Sequence, residues 1–246
     1  NAFAGILEEK GLEWRKEWHG VGGGAPHNGI TKANYRGCNA FWLSLVSMMK
    51  GYDDPRWVTM IQIMKFTVRS YDAEGLGHLS SMEAKGFFGL MKMDTLIINP
   101  KELDLPLYSY DRILAAKNDT LIAELYDTLV DPLPLDAVDE AISRHADLPE
   151  RDPGKHWYDG LRLPQSISKK GKNATAALDW LAEDHFAAYL ALPAKAPSDP
   201  ETKKAKTDVY VEGLLKNGGP STDVFKKQFG DEFTADLFRR VLFGTK

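Results

Sequence analysis

The sequence predicts an α+β protein in which a compact N-terminal domain of helices and a small antiparallel sheet precedes a mainly helical second domain. Three observations carry that reading. Apolar residues recur at helical spacing near the N-terminus and over most of the chain beyond Tyr108. Between Glu74 and Leu103 the apolar runs are short and bounded by Gly, Ser and Asp, as in strands. Strings rich in Pro and charge, 148–156 and 192–206, read as exposed connections. The division falls after Leu107, giving domains of residues 1–107 and 108–246, each of a size usual for a compact unit.

In chain order, Phe3, Ile6 and Leu7 open a helix-like stretch that decays into the aromatic and basic segment around Trp14 and Trp18. Residues 20–37 are dense in Gly and Asn and read as loop and turn. Asn39 is placed to cap a helix over 40–52, with Gly51 as its stop. A short helix is expected over 60–68, behind Thr59. Residues 74–93 and 94–103 read as turn, strand, turn, strand. Helices are then expected over 112–130, 135–146, 175–192, 207–218 and 221–243. The last carries Phe225, Phe229, Phe233, Leu237, Phe238 and Leu242 at three- and four-residue spacing, which fits a core-facing stripe, with a protein partner as the rival occupant.

Composition narrows the function classes. A formal net charge of −4 over 246 residues is at odds with a strongly basic nucleic-acid coat, so any nucleic-acid site is local. The single Cys38 excludes intramolecular disulfides and multi-cysteine zinc sites and fits a reducing compartment. No apolar run approaches the roughly 20 residues that a membrane helix needs. There is no Walker-type phosphate loop, since Gly22-Gly23-Gly24 lacks the following Gly-Lys-Ser/Thr, and there is no nucleophile elbow.

One stretch is specific enough to suggest a function. Between Pro26 and Gln62 a Gly-rich loop offers Asn28, Lys32, Tyr35, Arg36 and Asn39 as donors, and Trp14, Trp18, Trp42 and Trp57 lie nearby as stacking faces. Cations that follow a backbone and aromatic faces that take bases are the ingredients of single-strand binding, at about 1–3 kcal/mol for each stacked base. The bland alternative is that these aromatics fill a core and their basic neighbours are solvated.

The order of motifs in this stretch resembles the N-terminal domain of ArdC-type antirestriction proteins. The motifs are Trp14-Arg15-Lys16-Glu17-Trp18, Pro26-His27-Asn28, Thr31-Lys32, Tyr35-Arg36-Gly37-Cys38-Asn39, and Gly51-Tyr52 followed by Pro55-Arg56-Trp57-Val58-Thr59 and Gln62. The resemblance implies a non-catalytic, sequence-nonspecific single-stranded DNA-binding module of a mobile genetic element. Arg15, Lys32, Arg36 and Arg56 would then contact phosphates, Tyr35 and Trp57 would stack, and Asn28 and Asn39 would fix the loop or a base edge. RNA stays open as the alternative ligand. The implied setting is the cytoplasm of a bacterial host, with a mitochondrion as the alternative, and the implied cofactor set is empty.

The sequence also departs from the family. The lysine of the family's Thr-Gly-Lys stands at Lys32, one position early, and the basic loop is only echoed around Glu83 to Gly86. Residues 1–107 hold about a dozen basic and a dozen acidic side chains, which implies a shallow salt dependence of binding. Full-length relatives carry a zinc metallopeptidase domain with an H-E-x-x-H helix. Here the corresponding segment reads Leu181 to Ala187 without that motif, so the second domain is expected to be at most a degenerate relative.

Two rival functions are a structural or interaction subunit of a nucleoprotein assembly, and a divergent metal-dependent hydrolase using His145, His156, His185, Asp184 and Glu183. The spacing of those five matches no zinc signature. The basic runs Ser168 to Lys172 and Lys203, Lys204 and Lys206 read as solvated loops, or as an extension of a nucleic-acid path.

Overall fold

The computed structural model describes Trp14–Arg15, residues 65–86 and residues 90–246. Its centre is a seven-stranded sheet in which every neighbouring pair is antiparallel and the spatial order follows the chain. The strands are β1 (Trp14–Arg15), β2 (Lys65–Ala73), β3 (Gly77–Gly86), β4 (Met91–Asn99), β5 (Leu107–Ala115), β6 (Asn118–Tyr126) and β7 (Ile167–Lys172). Helix α1 (Asp136–Ser143) and a 3-10 turn (Trp157–Gly160) lie between β6 and β7. Beyond β7 come α2 (Thr175–Leu190), α3 (Pro200–Asn217), α4 (Pro220–Phe229), α5 (Asp231–Asp236) and a π-helical turn (Leu237–Leu242).

The period-2 pleat of β5 and β6 sorts side chains to two different cores. Tyr108, Tyr110, Leu121, Ala123 and Leu125 pack with Val138 of α1 and with Leu178, Leu181, Phe186 and Tyr189 of α2. Leu107 and Tyr126, one pleat over, pack with Met82, Met93 and Ile97 and with Tyr210, Val211, Phe238 and Val241 from the C-terminal elements. The result is three layers, with α1 and α2 on one face of the sheet and α3 to the π-helical turn on the other.

Several expectations change here. Residues 112–130, read as a helix, are the β5–β6 hairpin and its exit. Its two-residue loop, Ala116 and Lys117, closes with Ala116 at φ 56°. The apolar run Ile113 to Ala116 mimicked helical spacing, while the strand signal lay in the alternation on either side of it. Residues 65–68, the end of another expected helix, belong to β2, and the basic run 168–172 lies in β7. Residues 200–206 form the first turns of α3, because Pro200 occupies the first turn and the Asp199 carboxylate accepts from the amides of Glu201 and Thr202. The second half is therefore not mainly helical: it contributes β6, β7 and nearly all of β5. β4 pairs with β5 residue for residue, so the sheet continues across the division at Leu107.

Other expectations hold. β3 and β4 occupy the two predicted strands. The aromatic stripe of the last 26 residues faces the core, with Phe225, Leu237, Phe238 and Leu242 buried and Phe229 and Phe233 packed against them. Gly230, at φ 84°, breaks that stretch into separate elements. Gly77 opens β3 at φ 136°, where a Cβ would fall 2.4 Å from the Lys101 amide nitrogen, so this position admits only glycine.

The C-terminal layer is fixed to the sheet by polar contacts as well as packing. His78 Nε2, Ser80 Oγ and Asn99 Nδ2 donate to the carbonyls of Val241, Leu242 and Phe243 at 2.9, 2.8 and 2.7 Å. Carbonyls at a helix end have no partner within the helix, and these three buried side chains supply one each. Elsewhere α3 is tied down by Lys203, whose ammonium lies 3.2 Å from buried Asp104 and also reaches Thr128 Oγ1 at 3.2 Å. Burial lowers the Lys203 pKa to about 8 despite that carboxylate. Among the described residues no helix is long and apolar enough to cross a membrane.

Candidate functional site

The two faces of the β5–β6 hairpin are covered unequally. Toward α1 and α2, residues 108, 110, 112, 119, 121, 123 and 125 are all buried. Toward the C-terminal layer, Ser109, Asp111, Ile113, Thr120, Ile122 and Glu124 are only half-buried. The helices on that side thus leave a strip of sheet partly open, and Asp111 stands on it.

Asp111 is unusual among the described carboxylates. Its nearest partner is a hydroxyl, Thr95 Oγ1, donating to Oδ1 at 2.5 Å. Part of the residue reaches solvent, but the carboxyl itself is deep among protein atoms. Desolvation raises its pKa from 3.8 to about 6, the Thr95 hydrogen bond opposes that rise, and the charge of Glu124 adds to it. Tyr126, Tyr158 and Tyr210 border the same region, with the Tyr126 and Tyr210 rings 4.0 Å apart and Tyr158 edge-on to both. Trp157 lies against α3, where a Cβ on Gly213 would fall 2.1 Å from its ring, and its indole N–H donates to the Gly218 carbonyl at 2.8 Å. Chemically, this is a carboxyl able to hold or release a proton near neutrality, framed by aromatic surface.

A second concavity, about 390 Å³, lies on the opposite face toward α2. Its larger volume does not make it the better candidate, because its charges neutralise one another at close range. Arg69 meets Glu83 at 2.9 Å, and Lys92 meets Asp94 at 2.6 Å. Asp179, also on its wall, is engaged by Arg112 at 3.0 Å.

The five residues of the hydrolase reading are not gathered into one site. His145 Nε2 contacts Asp184 at 2.9 Å on the surface of α2. His185 is fully buried, with Tyr108 OH at 3.2 Å from Nδ1 and the Gln165 carbonyl at 2.9 Å from Nε2. Burial lowers its pKa to about 4, so it is a neutral core histidine. His156 is in the 3-10 turn region, stacked on Tyr158. No group of three or more potential metal ligands occurs among the described residues. The basic runs are also occupied: Lys169 is buried against Glu150 and the Leu148 carbonyl, Lys203 pairs with Asp104, Lys204 with Asp208 and Lys206 with the Leu129 carbonyl. They form no nucleic-acid path.

Of the residues proposed for nucleic acid, Asn28, Lys32, Tyr35, Arg36, Asn39, Arg56 and Trp57 lie outside the described residues. Arg15 lies in β1, paired with Asp72 of β2, so that part of the segment joins the sheet edge. Sequence reasoning missed Asp111. The signal was an acidic residue at every-other spacing with Ser109 and Ile113 in a strand, which the helical reading concealed.

Residues 5–69 match the family model described as the N-terminal domain of anti-restriction factor ArdC. That bears out the resemblance for roughly a quarter of the chain, and the match runs into β2. No curated protein matches the sequence. Among solved structures, the chain is similar to phytochromobilin synthase from tomato, crystallised in complex with biliverdin, with a TM-score of 0.58 and 19% identity over 75% of this chain and 71% of that one. This likeness is one of fold.

The pH dependence of stability follows from Asp111. Its folded pKa is above its unfolded value, so its contribution is fully present below about pH 4 and lost as pH rises through about 6. Denaturant titrations of the chain and of Asp111→Asn at pH 4.5 and 8 should show the wild type losing on the order of 1–2 kcal/mol relative to the variant at the higher pH. A pH-independent difference would count against a raised carboxyl.

Proposed function

We propose that the chain binds single-stranded DNA through residues 5–69, without sequence preference and without catalysing a reaction on it. The observation that carries this reading is the family match, within which all eight proposed contact residues fall. The chemistry agrees: Arg15, Lys32, Arg36 and Arg56 supply phosphate partners, and Tyr35 and Trp57 supply stacking faces. The ArdC description places such binding in antirestriction, the protection of entering DNA in a bacterial host.

Fluorescence anisotropy with labelled oligo-dT tests this reading. Tyr35→Ala combined with Arg36→Ala should weaken binding at least about tenfold, as loss of a stacked base and a phosphate contact implies, with the melting transition unchanged. Duplex DNA should bind more weakly, and an RNA arm distinguishes the alternative strand. Unchanged affinity in the double variant would contradict the site.

A second reading applies to the layered body, and the half-open strip around Asp111 favours it. A protonatable carboxyl beside three tyrosines suits an extended, conjugated ligand that carries hydrogen-bond acceptors, and a linear tetrapyrrole is one such molecule. The fold neighbour's complex with biliverdin makes that compound the natural probe. Titration of the chain with biliverdin should perturb its visible absorption saturably, and Asp111→Asn should weaken the binding several-fold, in keeping with an altered buried hydrogen bond. No saturable change would rule the reading out.

A further inference from the structure

Glu124 stands on the same half-open face as Asp111, displaced along β6: Ser109 is its cross-strand partner, and Ile122 is that of Asp111. Both of its carboxylate oxygens are committed. Arg162 Nη1 donates to Oε1 at 2.9 Å and Tyr126 OH donates to Oε2 at 2.6 Å. Arg162 is itself held by Asp159 of the 3-10 turn at 2.8 Å. Two donors, one of them a cation, keep Glu124 ionised and fixed in position.

We propose that Glu124 is a positioning residue whose fixed negative charge holds the proton on Asp111, with Arg162 as the counterweight that limits the effect. The proposal deepens the tetrapyrrole reading and rests on its view of Asp111 as the ligand-facing carboxyl. The other groups that face Asp111 set the remaining balance. From β4, the Thr95 hydroxyl stabilises the ionised form. From the 3-10 turn and α3, Tyr158 and Tyr210 are neutral, and burial raises both phenols further above neutrality. Arg162 reaches the cluster through Glu124. Glu124 is therefore the anion whose charge adds to desolvation in retaining the proton.

The consequence concerns ligand class. A protonated Asp111 donates a hydrogen bond, so it selects a carbonyl oxygen or an unprotonated ring nitrogen over a cationic group. Removing Glu124 would ionise Asp111 at lower pH and reverse that preference.

The test is a carbon-detected NMR titration of the full chain labelled with ¹³C at aspartate carboxyls, with Asp111→Asn identifying the signal. The wild-type midpoint is expected at about 6. Glu124→Gln should move it down by about half a pH unit or more, and Arg162→Met should move it up, since an uncompensated like charge raises a carboxyl. Thr95→Val should also move it up, without involving Glu124. A midpoint unchanged in Glu124→Gln, or moved the same way by both Glu124→Gln and Arg162→Met, overturns the proposal. If Glu124→Gln does not fold, Arg162→Met decides alone: an upward shift supports the proposal and no shift overturns it. No ligand is present, so failure here leaves biliverdin binding to stand or fall by its own titration.

Discussion

The alternation along the β5–β6 hairpin is the constraint from which the rest of the described structure follows. Odd and even positions of these strands face different layers, so Tyr108 and Leu121 must be covered by one set of helices and Leu107 and Tyr126 by another. A one-residue slip would exchange the two faces. It would put Arg112, now bonded to Asp179 and to the carbonyls of Thr120 and Thr175, on the wrong side of the sheet, and would send Asp111 toward α2. Register, layer order and the location of the half-open strip are thus one fact seen at three scales.

The charged groups of this body fall into two kinds. Arg112, Lys169 and Lys203 are buried cations with carboxylate and carbonyl partners, which satisfies them and ties helices or loops to the sheet. Such pairs are costly to break, because removing one partner of a buried pair leaves the other uncompensated, at about 3–5 kcal/mol. Asp111 is of the second kind: its direct partner is a hydroxyl, and its neighbouring charge is another carboxylate. Perturbed carboxyls gather where a protein does something with a proton, and structural ion pairs do not account for this one. The unequal covering of the hairpin supplies the access such a group needs.

Much of this was legible in the sequence, and the parts that were not have physical causes. Helices α1 and α2, strands β3 and β4 and the core-facing aromatic stripe at the C-terminus could be read from periodicity and from Gly, Ser and Asp boundaries. The β5–β6 hairpin was not, since Ile113, Leu114, Ala115 and Ala116 form an apolar run that suits a helix as well as a strand, and the tight loop at Ala116 and Lys117 carries no Asn-Gly or Gly signal. Long-range pairing decided between them. The same error hid Asp111, whose character depends on Thr95 and Glu124 of neighbouring strands. The lysine runs misled for a related reason: whether Lys203 is solvated or paired is settled by Asp104, 99 residues away. The ArdC-type segment was read the other way round, from ordered motifs over Pro26 to Gln62, with no packing needed.

Two recognition chemistries share this chain, an aromatic and basic one within residues 5–69 and a carboxyl and tyrosine one on the open side of the hairpin. They meet at β1 and β2, where the segment joins the edge of the sheet. Hydrogen–deuterium exchange of the full chain, with oligo-dT and separately with biliverdin, tests that separation most directly. Oligo-dT should slow exchange within residues 5–69 and leave Leu107 to Tyr126 unchanged, and biliverdin should do the reverse. Protection of the same residues by both ligands would contradict it.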